Sequence, residues 1–371
     1  MEKKDMPKRL LCIVGGINAG GAETFLMKIY RALDKSKYQM DFYVSTRDEG
    51  FYDKEILSMG GRIFHSVPKT KNPIYSFKKL IETVRKEKYN YVMRVSQHSL
   101  STLDLIAAKI GGAKTLIYRS SNSKTGGGAV NQIMHLLFKW LPMFIPDIKL
   151  APSTEAAEFM FGKNCVKSGR ALIIKNAIPL DVFEFDKVKR DKIRKEFNLD
   201  DKFVIGHVGR FSSQKNHNFL VKIFAEVLKK HDNSILMLVG KGELESDIKK
   251  KVQILGFQEK VIFTGVRSDL PEVLMAMDAF VFPSFFEGMP NAVIEAQATG
   301  LPCIISDTIT KEVNITGRVE YVSLNSSPTQ WAEVILKYKN GLNRNGLKDV
   351  FVKNGYDIES VTKNFEKIIF K

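Results

Sequence analysis

No run of 18 apolar residues occurs anywhere in this chain of 371 residues, so no stretch reads as a membrane-spanning helix. Cysteine is scarce. Cys12, Cys165 and Cys303 are odd in number and far apart, which excludes a disulfide framework or a cysteine metal knot and points to a reducing cytoplasm. The opening "MEKKDMPKRLLCIVGG" has a basic start, but its apolar run is too short for a secretory signal and reads as a first β-strand. In "GGINAGG" (15–21) the glycines stand at the wrong offsets for G-x-G-x-x-G, which argues against a dinucleotide-binding oxidoreductase. Low-complexity segments and short repeats are also missing.

Basic residues, by contrast, are plentiful. The chain carries 57 Lys and Arg against 41 Asp and Glu, a formal charge of +16. Residues 1–175 hold 29 basic and 15 acidic residues, whereas residues 176–371 hold 28 and 26. A basic half of this kind suits nucleic acid, an anionic membrane or a phosphorylated substrate, with a lysine-rich surface of compositional origin as the competing reading. In both halves short apolar runs alternate with amphipathic stretches, the pattern of parallel α/β domains. Strands are predicted at 9–14, 39–45, 62–67, 91–96 and 115–120, and again at 203–210, 235–240, 260–265, 279–284 and 302–307. The expected architecture is α/β, with two Rossmann-like doubly wound domains facing across a cleft. The first covers 1–175, the second 176–355, and a terminal helix at about 356–371 crosses back to the first.

In such sheets ligands sit beyond the carboxyl ends of the strands. After "VIGHVG" come Arg210 and Lys215, a fork of donors and a mobile point charge suited to a diphosphate. After "LMLVG" come Gly240 and Gly242, which permit a tight turn or a close approach. After "AFVFPS" comes "FFEGMPNAVIEAQATGLP", where Pro290 is predicted to begin a short buried helix and Gly300 to end it. Glu287, just ahead of that helix, is placed to accept hydrogen bonds from sugar hydroxyls. Glu295, one turn beyond Asn291, suits the vicinal hydroxyls of a ribose.

The run "GRFSSQKN…VGKGEL…FTGVRSDLPEVLMAMDAFVFPSFFEGMPNAVIEAQATGLPCIISD" resembles the carboxyl-terminal domain of glycosyltransferase family 4, retaining nucleotide-sugar enzymes of the GT-B fold, and within it the branch that builds bacterial exopolysaccharide and capsule. Glu287 and Glu295 match that family's E-x7-E pair, and "GGAETFLMKIYRALDK" (20–35) is similar to its amino-terminal glycine loop and first helix. The resemblance implies Arg210 and Lys215 on the donor diphosphate and Glu287 on the transferred sugar. It further implies the backbone of Gly288, Met289, Pro290 and Asn291 on sugar and phosphate, Glu295 on the ribose, and Val266 beside the base. Gly20 and Gly21 would line the cleft from the other domain. Many relatives place a histidine in the loop matching "YRSSNS" (118–123); here that position is Ser121, with Arg119 and Asn122 as neighbouring polar groups and His98 as a further candidate on the acceptor side. The implied chemistry is front-face transfer of a hexosyl or N-acetylhexosaminyl group, with the leaving diphosphate taking the acceptor's proton.

No Asp-x-Asp triplet occurs, so the two cations are expected to neutralise the diphosphate without a metal or other cofactor. A retaining glycosidase would also use two carboxylates, but that reading leaves the cations and glycines unused. A nucleotide-sugar epimerase of related fold and a non-catalytic carbohydrate- or nucleotide-binding relative are the alternatives. The expected partners are a UDP-sugar donor, a glycan acceptor on a polyprenyl diphosphate and an anionic membrane surface, with no nucleic acid. The expected location is the cytoplasm, at the inner face of the membrane. Two stretches are candidates for that surface: 76–88, with Phe77, Leu80, Ile81 and Val84 on one face, and 131–145, with Trp140 near its middle. Packing of both against the first sheet is the competing expectation.

Overall fold

The computed structural model describes residues 6–18, 20–124 and 129–371. The chain divides into two compact units, Met1–Ala177 with Ile358–Lys371, and Ile178–Asp357.

In the first unit the strands are β1 (Lys8–Val14), β2 (Tyr38–Val44), β3 (Ile63–His65), β4 (Tyr91–Ser96), β5 (Thr115–Ser120), β6 (Ile148–Ala151) and β7 (Leu172–Ile173). They form one sheet in the order β3-β2-β1-β4-β5-β6-β7, every pair parallel. Because helices cover both faces, alternate residues of one strand enter different cores. Leu10, Cys12 and Val14 join the cluster around Phe25 and Tyr30. Leu11 and Ile13 join the one around Leu80, Val84 and Tyr118. The last helix, Ile358–Ile369, belongs to this unit. Val361, Phe365 and Ile369, one helical turn apart, fill the first of these cores, with Phe365 edge-on to Phe25 at 6.5 Å.

The second unit contains β8 (Phe203–Val208), β9 (Ser234–Val239), β10 (Val261–Gly265), β11 (Ala279–Phe282), β12 (Cys303–Ser306) and β13 (Val319–Val322), in the order β10-β9-β8-β11-β12-β13 and again all parallel. Entry to and exit from this unit run side by side: the Ile178 amide donates to the Tyr356 carbonyl at 2.9 Å, and Ile178 bridges Asp357.

In each sheet the chain winds outward from its first strand, then returns to start on that strand's other side. This reversal, between β1 and β4 and between β8 and β11, leaves a crevice at the carboxyl ends where consecutive loops diverge. Among the described residues no helix is long and apolar enough to cross a membrane.

Candidate active site at the switch point of the second sheet

Two loops meet at the β8–β11 reversal. The first, Gly209–Asn216, leaves β8. The second, Pro283–Pro290, leaves β11 and feeds the helix Asn291–Ala298. Three contacts clasp them: the Phe285 amide donates to the Gln214 carbonyl (2.9 Å), Gln214 Nε2 to the Phe286 carbonyl (2.9 Å) and Asn216 Nδ2 to the Pro283 carbonyl (3.2 Å). Asn216 takes a left-handed backbone (φ 56°), which asparagine tolerates better than most side chains, and this turns the chain into the helix His217–Lys230. The clasp delivers Lys215 Nζ to Glu287 Oε1 at 2.7 Å, with the ammonium 4.5 Å from the centroid of the Phe282 ring. Both partners are largely buried, their side chains 17% and 9% exposed. Arg210 stands further out, its Nε bonded to Glu243 at 3.1 Å and its side chain mostly in solvent.

The helix after β11 begins at Asn291, one residue later than the sequence suggested. Pro290 is its cap (φ −74°, ψ 112°), because residues before a helix take extended backbone and the ring's fixed φ suits that too. Gly300 does end the run, with φ +80°. Val293, Ile294, Ala296 and Ala298 are buried, and so is Glu295, at 4% exposure; Met289 and Glu287 ahead of the helix are buried as well.

Two glycines allow the neighbouring loop to close over this one. A Cβ on Gly240 (φ +136°) would stand 2.2 Å from the Gly209 carbonyl oxygen, and one on Gly242 would stand 2.5 Å from the Phe211 carbonyl oxygen. The Phe211 amide donates to Lys241 O (3.2 Å), the Leu244 amide to Phe211 O (3.0 Å) and the Gly240 amide to Gly265 O (2.9 Å). The loops after β8, β9 and β10 are thereby stitched in series, with Val266 partly exposed at the far end.

Beneath Lys215 lies a pair of imidazoles that sequence reasoning passed over. His207 Nδ1 donates to the Val281 carbonyl at 2.9 Å, and its ring meets that of His217 edge to face at 4.7 Å; His217 in turn stacks on Phe211 at 4.2 Å. Burial, with Lys215 nearby, holds the His217 pKa down at about 4, and burial pushes His207 well below the usual histidine range. Both rings are therefore neutral at pH 7. The available signal was histidine within the apolar run "FVIGHV" and at the start of the next helix.

The first unit's candidates stand at or after the carboxyl ends of the adjacent strands β1, β4 and β5. Gly20 caps the helix Gly21–Ala32, and a Cβ there would touch Glu23 Oε2 at 2.5 Å. His98 is half-buried after β4, Nδ1 accepting from the Leu100 amide (3.2 Å) and Nε2 donating to Asn131 O (3.0 Å). Asn122 Nδ2 reaches Gln97 Oε1 at 3.2 Å, and the Ser121 amide donates to Ser96 O at 3.1 Å. Arg119 is not a surface group: it is 2% exposed, lies over the Phe25 ring at 3.6 Å and donates to Asn176 Oδ1 at 2.7 Å. Burial without a carboxylate at hand lowers its pKa to about 9. A central strand of a sheet covered on both faces buries whatever it carries, charge included.

The two apolar stretches part company. In the helix Pro73–Glu87, Leu80 and Val84 enter the core, with Phe77 and Ile81 packed against it, so this face is spent on the sheet. The helices Ala129–Leu137 and Trp140–Phe144 leave most of their large apolar side chains in solvent.

Residues 202–340 match the family described as glycosyl transferases group 1. The putative glycosyltransferase EpsF of Bacillus subtilis (strain 168) is 32% identical over 360 residues, covering 95% of this chain and 94% of its own length. An Escherichia coli enzyme, UDP-Gal:alpha-D-GlcNAc-diphosphoundecaprenol alpha-1,3-galactosyltransferase, is 31% identical over 237 residues, 62% of this chain and 60% of its own. A crystal structure of Anabaena HepE in complex with UDP and glucose superposes with a TM-score of 0.75 at 16% identity, over 96% of this chain and 98% of that one. At that identity the likeness carries the fold, the GT-B arrangement of two doubly wound units.

Proposed function

This chain belongs to the group 1 glycosyltransferases, and from that premise we propose that it moves a sugar from a UDP-sugar onto a lipid-linked glycan in exopolysaccharide or capsule synthesis. The observation that carries the reading is Lys215 beside Glu287 at the switch point, ahead of a helix whose N-terminal amides face the same crevice end of the sheet. Lys215, with Arg210 at the rim, meets the diphosphate; Glu287 takes sugar hydroxyls; Glu295 takes the ribose. The Escherichia coli galactosyltransferase, named for UDP-Gal as donor and a diphosphoundecaprenol-linked GlcNAc as acceptor, supports the donor and acceptor classes. Anabaena HepE, whose structure holds UDP and glucose, supports the nucleotide.

The reaction we propose is of the family 4 type and retains configuration. The bond from the sugar's anomeric carbon to the diphosphate breaks. On the same face the acceptor oxygen bonds to that carbon, and the acceptor's proton passes to a diphosphate oxygen. The protein's part is then to stabilise charge on the departing diphosphate, which preorganised cations in a crevice do well. Metal independence belongs to the same proposal.

Thermal unfolding with UDP, GDP, ADP or NAD, each with and without a chelator, tests this. A nucleotide at 100 times its Kd adds ~2.7 kcal/mol when it binds only the folded chain. Selective stabilisation by UDP that survives chelation is the expected result, followed by turnover of a UDP-sugar. Loss of the effect with chelator refutes metal independence, and stabilisation by NAD alone refutes the transferase reading.

A further inference from the structure

The helices Ala129–Leu137 and Trp140–Phe144 turn Val130, Ile133, Leu136, Leu137, Trp140 and Phe144 to solvent, with Trp140 52% and Phe144 74% exposed. Positions 130, 133, 137, 140 and 144 step by three and four, keeping to one side across both helices. The other side is seated. His135 is buried, stacked on Phe159 with centroids 4.4 Å apart, and its carbonyl accepts from the Ser99 hydroxyl at 2.8 Å; Leu141 and Pro142 are buried too. The exposed face is therefore left over after the helices have docked, and a contiguous apolar patch of this kind marks an interaction surface.

Its charge indicates what covers it. Residues 124–146 contain Lys124 and Lys139 and no Asp or Glu. Gly162, where a Cβ would lie 3.3 Å from Met143 Cε, brings alongside a loop that exposes Lys163, Lys167 and Arg170. Carboxylates nearby are engaged in the fold: Asp147 accepts from the Leu116 amide and Glu158 from the Asn164 amide, both at 2.8 Å. A second copy packed face to face would bring like charges together. A bilayer of anionic lipid offers an acyl boundary for the apolar side chains and phosphates for the cations.

We propose that this face docks the enzyme reversibly on an anionic membrane surface, with Trp140 at the headgroup level; the proposal deepens the reading of a lipid-linked acceptor and rests on it. The full chain is tested with vesicles of phosphatidylcholine, alone or mixed with phosphatidylglycerol, at low and moderate salt. Of its two tryptophans, Trp331 is fully buried, so a blue shift in emission on adding vesicles reports Trp140. Binding is expected only to the anionic vesicles. The double substitution Leu137→Ser with Phe144→Ser is expected to weaken it at least ~tenfold, while Ile254→Ser, exposed on the other unit, leaves it unchanged. UDP stabilisation is measured on the same samples. Anionic-vesicle binding that survives the double substitution overturns the proposal. So does absence of vesicle binding while UDP still stabilises the chain, an outcome that leaves the transferase reading intact. Patch-dependent binding without any nucleotide effect would keep the surface and remove the donor reading. A dimer that the double substitution dissolves, with no vesicle binding, would assign the face to a second copy and overturn the lipid.

Discussion

The Lys215–Glu287 pair makes opposite demands on its two members, and substitution separates them. Lys215→Met takes the opposite charge from a carboxylate that is only 9% exposed, whereas Glu287→Gln leaves an ammonium at 17% exposure that still has Phe282 beneath it and an amide oxygen to bond. Removing one partner of a fully buried pair costs ~3–5 kcal/mol. With water still in reach, Lys215→Met is expected to cost about 2 kcal/mol and Glu287→Gln less than about 1 kcal/mol. For a unit of this size the first corresponds to a fall in Tm of about 4–8 °C. The double variant carries neither charge and should recover most of that loss, giving a coupling of about 1–2 kcal/mol in a urea double-mutant cycle. Nucleotide binding should divide differently. Lys215→Met removes the partner of the diphosphate and is expected to weaken UDP at least ~tenfold, whereas Glu287→Gln releases the lysine from its competitor and leaves UDP affinity unchanged or higher. Sugar transfer fails in both. Additive single effects would refute the energetic coupling. Glu287→Gln weakening UDP as much as Lys215→Met, or keeping its turnover, would refute the assignment of diphosphate and sugar to the two side chains.

Glu295→Ala should weaken UDP by ~10- to 100-fold through loss of charge-assisted hydrogen bonds to the ribose, measured by calorimetry; an unchanged Kd removes Glu295 from the donor site. Gly242→Ala drives a Cβ to 2.5 Å from the Phe211 carbonyl and should cost about 1–3 kcal/mol in urea unfolding. An unaffected midpoint would mean that the loop has room the structure does not show. His217 has a folded pKa of about 4 against 6.5 for the free side chain, so between those values the unfolded chain binds a proton that the folded chain does not. Its contribution is complete above pH 6.5 and is lost as pH falls toward 4, at roughly 1.4 kcal/mol per pH unit. His217→Phe should remove about one proton from that slope in urea unfolding at pH 7, 6 and 5, and an unaltered slope would refute the buried neutral ring.

The ten strands expected from apolar runs are all present, with ends that differ by a few residues, because a strand covered on both faces is written as a continuous hydrophobic stretch. The strand opening "LIIKNAIPLDVF" (172–183) is present too, as the two residues of β7, while two more escaped notice: β6 is the four residues "IKLA" and β13 reads "VEYV", with a glutamate inside an edge strand. Neither offers a run long enough to stand out. The carboxylate pair at 287 and 295 was legible because both members sit in one short segment. Lys215 beside Glu287 was not, since 72 residues separate them and only the strand order brings them together. Arg119 falls in the strand expected at 115–120, but its burial was not legible there, because only the packing of helices on both faces buries five of the six residues of β5.

That contrast bears on what positions the site. The ion pair is one of several links between the two loops. The loops are also joined by Phe285, Gln214 and Asn216 through neutral hydrogen bonds, two of which end on backbone carbonyls reached by side chains. Such bonds are insensitive to salt and to the charge of a ligand. On the proposed reading, a diphosphate would draw Lys215 from Glu287 while these hydrogen bonds keep the loops joined, and Glu287 would take hydroxyls of the sugar. Preorganisation by neutral contacts, with charge left free to exchange partners, is what a site needs if one lysine is to meet a diphosphate whose charge grows as the glycosidic bond breaks.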